Sequence, residues 1–180
     1  MTTWDLLMCL PMLGLLIVAA AMDWRSRRIP NWLTLGLLTS GLAQSLAWHG
    51  AVTPMQSLLG ALAGFGLLLV LFVLGAVGGG DVKLLAGVGA WLGPQGVLQV
   101  FTTAAVVGLI IVLVQSVWQG RMRILLRNSA VVALNLVQIE QLGAEHVISS
   151  GQSARSVEKP LPYAVPVLAA ALVVLLAQWH

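Results

Sequence analysis

The chain has 180 residues, of which 59% are hydrophobic and only 8% are charged, and its mean hydropathy is +0.96. A soluble domain carries about 25% charged residues, so this composition excludes an ordinary soluble protein and indicates one embedded in a membrane. The net charge of +3 does not indicate nucleic-acid binding, because the few basic residues are first of all signals of membrane topology.

Six apolar runs follow one another along the chain and predict about six transmembrane helices. They comprise residues 6–22, 32–48, 55–77, 82–92, 97–118 and 160–179. The first run lacks a basic leading segment and a clear cleavage site, so we expect it to be a retained span rather than a signal peptide. The fourth run is short, since 11 residues rise only about 16 Å as a helix.

The region between the last two runs is too polar to cross a membrane. Residues 129–152 mix apolar side chains with amides, carboxylates and a histidine, which predicts an interfacial helix inside a cytoplasmic or interfacial insertion at 129–159. We therefore expect an all-α polytopic membrane bundle, with about six transmembrane helices and one interfacial helix, that forms a single domain over residues 1–180.

The basic residues predict the orientation of this bundle. If the N-terminus lies outside and the six runs cross alternately, the outer loops around His49 and Pro94 contain no lysine or arginine. All nine basic residues then lie on the inner side, as the positive-inside rule requires: Arg25, Arg27, Arg28, Lys83, Arg121, Arg123, Arg127, Arg155 and Lys159. Both termini are then outside, and the short run at 82–92 must cross.

A glycine-rich stretch, Gly78-Gly79-Gly80-Asp81, separates the third run from the fourth. Consecutive glycines disfavour a helix interior by about 1 kcal/mol each, but they permit a sharp bend or a close approach of two backbones. The predicted topology places Asp81 at the cytoplasmic face, at a depth similar to that of Asp23 at the end of the first run. Ionisable residues in membrane-embedded segments are candidate functional residues by default.

Two carboxylates at one membrane face suggest an aspartic hydrolase with Asp23 and Asp81 as its catalytic pair. When two such groups lie a few ångströms apart they cannot both ionise, so one keeps a proton and the pair can hold a water molecule between them. The ionised member then takes a proton from the water as it attacks a peptide carbonyl, and the protonated member donates to the developing oxyanion.

Other interpretations stay open from the residues alone. Asp23 and Asp81 can serve as headgroup-level anchors that pair with Arg25 and Lys83, with Asp81 capping a helix. In a transporter or channel subunit, the Gly78–Gly80 stretch would be a hinge and Asp81 a proton or cation site. A non-catalytic scaffold of a secretion assembly is a third possibility. The scattered histidines and the absence of an HExxH motif give no reason to expect a metal or an organic cofactor.

Two motifs resemble those of the type IV prepilin peptidases. The sequence Gly78-Gly79-Gly80-Asp81-Val82-Lys83-Leu84 is similar to the GxGD signature of that family. Asp23, with the basic segment that ends in Ile29-Pro30-Asn31, resembles the first aspartate of the family and the residues that follow it. Pro162-Tyr163 is similar to a short proline motif before the final helix.

The resemblance implies an aspartic endopeptidase of the bacterial inner membrane that cleaves the leader of prepilins at the cytoplasmic face. It assigns supporting roles near the catalytic pair to Gly78, Gly80, Lys83, Pro30, Asn31 and Pro162. The glycines would let an extended substrate lie beside Asp81, and Lys83 would either keep Asp81 ionised or reach the headgroups.

The resemblance is to the short TadV/CpaA type of Flp pilus systems, because the chain begins directly with a span and has a single cysteine, Cys9. Larger members carry paired CxxC motifs in an N-terminal cytoplasmic segment and also methylate the new N-terminus, so no methyltransferase activity is expected here. The expected partners are a Flp-type prepilin, the lipid bilayer and components of the pilus assembly machinery, and nucleic acid is not among them.

Overall fold

The computed structural model describes residues 9–47, 52–74, 77–118 and 162–179, and the regular elements in these ranges are all helices. There are five: α1 (Leu10–Ser26), α2 (Asn31–Ala47), α3 (Pro54–Val73), α4 (Gly79–Trp118) and α5 (Ala164–Trp179). The predicted all-α fold is thereby confirmed for the described part of the chain. The predicted insertion at 129–159, with its interfacial helix, lies outside the described residues.

Two of these helices, α3 and α4, are long and apolar enough to cross a membrane. The helix α5 is a shorter apolar helix, and α1 and α2 have 17 residues each. Large side chains such as Leu62, Val70 and Leu109 are exposed on α3 and α4, as expected for helices whose outer faces meet lipid. The number of six transmembrane helices stays a prediction.

The C-terminal boundary of α1 differs slightly from that of the first predicted apolar run. The apolar run ends at Met22, but α1 continues through Asp23 to Ser26, and Arg27 then adopts a left-handed conformation with φ 52°. The N–H of Arg27 donates to the carbonyl of Asp23 at 2.9 Å, which closes the last turn as left-handed helix caps do. Asp23 therefore lies within the helix, three residues before its end.

The helix α4 is broken at Gly93, where φ is 70° and ψ is −178°, and Pro94 follows. Proline lacks the N–H of a continuing helix, and a positive φ suits glycine. Gly64 of α3 lies beside Leu85 before the break and Val97 after it, so the chain folds back at Gly93. The sequence predicted this division of residues 82–118 into two segments.

The first segment of α4 is the central helix of the bundle. Every residue from 84 to 93 is buried, whereas an ordinary surface helix buries only one face. A side chain at Gly60 would meet the backbone of Gly89 and Gly93, and one at Gly89 would meet the backbone of Gly60. These two glycines therefore allow α3 and the central segment to pack in direct backbone contact, as small residues do in membrane bundles.

Two buried hydrogen bonds fix the central segment against its neighbours. The indole Nε1–H of Trp91 donates to the carbonyl of Leu37 in α2 at 2.9 Å. The hydroxyl of Ser57 in α3 donates to the carbonyl of Ala90 at 2.6 Å. Both bonds lie near the Gly93 end of the central segment, opposite the end that begins with Gly79 and Asp81.

Candidate functional site

Asp23 is a buried carboxylate near the C-terminal end of α1, with only 6% of its surface exposed. Its Oδ2 accepts a hydrogen bond from the backbone N–H of Ala164, the first residue of α5, at 3.1 Å. The first N–H groups of a helix have no partner within the helix and carry its positive dipole end. Asp23 thus satisfies one of these donors. The hydrogen bond joins the ends of α1 and α5 through two residues that are 141 positions apart in the chain.

Asp81 is a partly buried carboxylate in the first turn of α4. Its Oδ2 accepts the N–H of Gly78 at 2.9 Å, and its own N–H donates to the carbonyl of Gly78 at 3.1 Å. An acidic side chain that reaches back to the residue before the helix forms half of a capping box. Asp81 is therefore a helix cap, and one of its carboxylate oxygens holds the glycine turn in place.

Asp23, three residues before the end of α1, and Asp81, in the first turn of α4, lie at the same end of the bundle, because Gly80 packs against Ile29 in the segment that follows α1. Among the described residues no ion pair joins either carboxylate to a basic side chain, so the anchor pairing with Arg25 and Lys83 is not formed in this part of the chain. Each carboxylate instead accepts a hydrogen bond from a backbone N–H, that of Ala164 for Asp23 and that of Gly78 for Asp81. The N-terminal ends of α2, α4 and α5 all lie at this end and favour negative charge there.

Tyr163 is a residue of this site that the sequence analysis did not select. It directly precedes Ala164, it is partly buried against the apolar core, and it lies close enough to Asp81 for the charge of that carboxylate to affect its pKa. Burial, and then the negative charge of Asp81, raise the pKa of the Tyr163 hydroxyl to about 12, so it remains a neutral donor at ordinary pH. The sequence feature that could have identified Tyr163 is its position next to Pro162, in the short proline motif before the final helix.

Gly78 and Gly80, the two glycines of the motif that were expected to support the site, both lie in the turn that leads into Asp81. A side chain at Gly78 would lie 3.3 Å from the Oδ2 of Asp81, and one at Gly80 would lie 3.3 Å from the Cβ of Ile29. Both contacts are tighter than ordinary van der Waals packing. The turn before α4 therefore fits closely against the carboxylate on one side and against the segment between α1 and α2 on the other.

The other predicted supporting residues lie around the same end. Pro30 precedes α2, and its carbonyl accepts the N–H groups of Leu33 and Thr34. The side chain of Asn31, the first residue of α2, accepts a hydrogen bond from the Nζ of Lys83 at 2.9 Å. Pro162 accepts the N–H of Val165 at 3.3 Å and shapes the start of α5.

The described residues contain no group of three or more histidine, cysteine, aspartate or glutamate side chains that could hold a metal ion. What this end of the bundle offers chemically is two carboxylates, one buried and one partly buried, and the phenol of Tyr163. Such a pair is suited to general acid–base chemistry on a bound water. The class of protein that these features define is a helical membrane protein with a candidate aspartic site.

Comparison with known proteins agrees with that class. Residues 10–113 match the type IV leader peptidase family, a stretch that includes Asp23 and Asp81 but not Pro162. The chain therefore belongs to the type IV leader peptidase family.

The curated relatives include prepilin leader peptidase/N-methyltransferases of three bacteria. The protein of Burkholderia pseudomallei K96243 is 41% identical over 115 residues, which are 60% of this chain and 37% of the relative. That of Dickeya chrysanthemi is 38% identical over 104 residues, which are 53% of this chain and 36% of the relative. That of Neisseria gonorrhoeae is 32% identical over 127 residues, which are 66% of this chain and 44% of the relative. The matched region thus spans less than half of these relatives. No solved structure matches the chain significantly.

Proposed function

We propose that this protein is a membrane aspartic endopeptidase that cleaves the leader peptide of type IV prepilins. The observation that carries the proposal is the placement of Asp23 and Asp81 at one end of the bundle, without a pairing cation among the described residues. Family membership and relatives named as prepilin leader peptidases support the choice of substrate. The proposal covers the peptidase reaction alone.

In this mechanism the two carboxylates share one proton and hold a water molecule between them. The ionised carboxylate removes a proton from the water as its oxygen attacks the carbonyl carbon of the scissile peptide, and the protonated carboxylate donates to the carbonyl oxygen. Collapse of the tetrahedral intermediate breaks the C–N bond, and the leaving amine takes up the proton that was removed from the water. Titration belongs to the pair, so neither role is assigned to one residue.

The expected setting is the cytoplasmic face of the bacterial inner membrane, with Flp-type prepilins as substrates. The orientation is supported by the positive-inside pattern, since Arg25, Arg27 and Arg28 follow Asp23 directly and are exposed at the same end. The Flp assignment, and with it contact with pilus assembly machinery, is supported by the resemblance to the short TadV/CpaA type.

The described geometry does not favour the transporter interpretation. A transporter places its ion-binding residue near the middle of the bilayer at broken helices, whereas Asp81 is in the first turn of α4 and Asp23 is three residues from the end of α1. The break within α4 is at Gly93, at the opposite end of the central segment. A hydrolase needs its carboxylates where water and an extended peptide reach them, and a helix end supplies such a place.

The proposal is tested by reconstituting the protein in liposomes with a purified Flp-type prepilin and following release of the leader. We expect the parent protein to cleave, and Asp23→Asn and Asp81→Asn each to lose at least about 1,000-fold in kcat, because one partner of a general acid–base pair is removed. Arg25→Gln, which changes an exposed side chain at the same end, is the matched control and should cleave normally.

Circular dichroism and size-exclusion chromatography of each variant show whether it is folded. Full processing by either folded asparagine variant would exclude the proposed mechanism. A folded parent protein that leaves every prepilin uncut, whether of the Flp type or another type IV class, would exclude the proposed function itself.

A further inference from the structure

The ammonium group of Lys83 connects two parts of the chain that flank the candidate catalytic pair. Its Nζ donates to the Oδ1 of Asn31 at 2.9 Å, across 52 residues of sequence. Lys83 is two residues after Asp81 in the first turns of α4, and Asn31 is the first residue of α2. This hydrogen bond therefore joins the N-terminal ends of two helices at the end where both aspartates lie.

A second contact joins the same two parts of the chain. The backbone of Gly80 approaches Ile29 so closely that a side chain at position 80 would lie 3.3 Å from the Cβ and 3.7 Å from the carbonyl oxygen of Ile29. Residues 29 and 31 thus meet residues 80 and 83. The start of α4 lies directly on the segment that connects α1 to α2.

That connecting segment is fixed to Asp23 on its other side. Arg27 donates its N–H to the Asp23 carbonyl at 2.9 Å, and the hydroxyl of Ser26 donates to the carbonyl of Met22 at 2.8 Å and lies 3.3 Å from that of Arg28. Only four residues, 27–30, then separate the end of α1 from Asn31. A restraint on Asn31 is therefore also a restraint on the position of Asp81 relative to Asp23.

We propose that Lys83 and Asn31 form a latch that holds the start of α4 against the segment after Asp23 and so sets the separation of the two aspartates. This inference rests on the proposed function. It replaces the expectation that Lys83 acts on Asp81 directly, because the ammonium group bonds to Asn31 and the Asp81 carboxylate bonds to the Gly78 N–H. Lys83 and Asn31 are positioning residues in this arrangement, without contact to the reacting atoms.

The kinetic test compares variants that remove the hydrogen bond with variants that retain it. Lys83→Met and Asn31→Leu should each lower kcat about 10- to 100-fold with KM changed less than about twofold, because displacement of a catalytic group by about 1 Å has an effect of that order. Lys83→Arg keeps a donor and Asn31→Asp keeps an acceptor, so both should stay within about threefold of the parent protein. The double variant Lys83→Met/Asn31→Leu should be no slower than the slower single variant, since both remove one interaction.

Matched controls come from the same two helices. Thr39 in α2 and Thr102 in α4 are exposed, and their hydroxyls bond within their own helices to Leu35 and Leu98. Thr39→Val and Thr102→Val therefore remove a polar group without removing a hydrogen bond between two helices. Both variants should cleave at the parent rate. Full activity of Lys83→Met and Asn31→Leu, or effects that multiply in the double variant, would overturn the latch.

A second readout does not depend on activity. A Cβ atom added at Gly80 would lie 3.3 Å from the Cβ of Ile29, slightly less than the roughly 3.5–4.5 Å between the Cβ atoms of a disulfide, and Cys9 is the only cysteine of the chain. In a Cys9→Ser background, Ile29→Cys/Gly80→Cys should cross-link rapidly on mild oxidation, and adding Lys83→Met should slow the reaction at least about fivefold. An unchanged rate would overturn the latch.

The two readouts separate the latch from the proposed function. A parent protein that cleaves no prepilin refutes the function, and the disulfide rate then decides the latch alone. A parent protein that cleaves, together with Lys83→Met and Asn31→Leu variants that cleave equally fast, refutes the latch and leaves the function standing.

Discussion

Replacement of Gly64 by alanine should weaken the contact between α3 and the central segment of α4. The added Cβ would lie 2.9 Å from the carbonyl carbon of Leu85 and 3.1 Å from Cγ2 of Val97, with the carbonyl oxygen of Leu85 closer still. Ordinary contacts between such atoms are about 3.5–4.0 Å, so the helices must separate by about 0.5–1 Å. Overpacking of this kind costs about 1–3 kcal/mol, and the backbone of Leu85 cannot turn away as a side chain would.

Gly66 is the matched control for this prediction, because it lies two residues further along α3 and a side chain there would have no atom within 4 Å. Alanine favours a helix over glycine by about 1 kcal/mol at both positions. We therefore expect Gly66→Ala to stabilise by up to about 1 kcal/mol, and Gly64→Ala to destabilise by about 0–2 kcal/mol after the same gain is subtracted.

The measurement is unfolding in mixed micelles by titration with a denaturing detergent, followed by circular dichroism, for the parent protein and both variants. The free energies of unfolding of the two variants should differ by about 1–3 kcal/mol in favour of Gly66→Ala, because the helix-propensity gain is common to both. Equal stability of Gly64→Ala and Gly66→Ala would show that α3 and the central segment are not in direct backbone contact, and would refute this account of the packing.

Two further predictions concern single groups. Tyr163 is the only tyrosine of the chain, so an ultraviolet titration reports on it alone and should show a midpoint near pH 12. Asp81→Asn should lower this midpoint because it removes a negative charge near the phenol. An unchanged midpoint would contradict the proximity of the two side chains. Since the unfolded tyrosine loses its proton first, near pH 10, the stability of the fold should fall as the pH rises from about 10 to about 12. Trp91→Phe removes the hydrogen bond to the buried carbonyl of Leu37 and should destabilise by about 1–3 kcal/mol in the same detergent titration, whereas an unchanged free energy of unfolding would show that this bond contributes little.

Much of the local structure could be predicted from the sequence because it depends on neighbouring residues. The break between the two segments of α4 follows from Gly93 and Pro94, and the start of α2 follows from Pro30. The membrane character follows from composition. Counting the membrane crossings predicted that Asp23 and Asp81 lie at the same end of the bundle, and in the structure they do.

The partners of the site residues could not be predicted, because they are distant in the chain. Nothing near Asp23 indicates that its carboxylate accepts the N–H of Ala164, and nothing near Lys83 indicates a bond to Asn31. The sequence also did not indicate that residues 84–93 are buried on every side of the helix. An apolar helix surrounded by protein and one surrounded by lipid have the same hydrophobic pattern, so periodicity does not distinguish them.

The length of the central segment accounts for the location of the candidate site. Residues 79–92 rise only about 21 Å as a helix, which is less than the roughly 30 Å of hydrocarbon in a bilayer. A lipid-facing helix of that length would leave unpaired backbone groups inside the membrane, but irregular backbone is tolerated where protein surrounds it or where water enters. If the central segment crosses the bilayer, as the sequence predicts, the first turn of α4 would lie below the membrane surface, where protein surrounds Asp81 and the buried Asp23 and water can still reach them. A hydrolase that cuts at the membrane surface needs both conditions, and a central helix that is too short supplies them together.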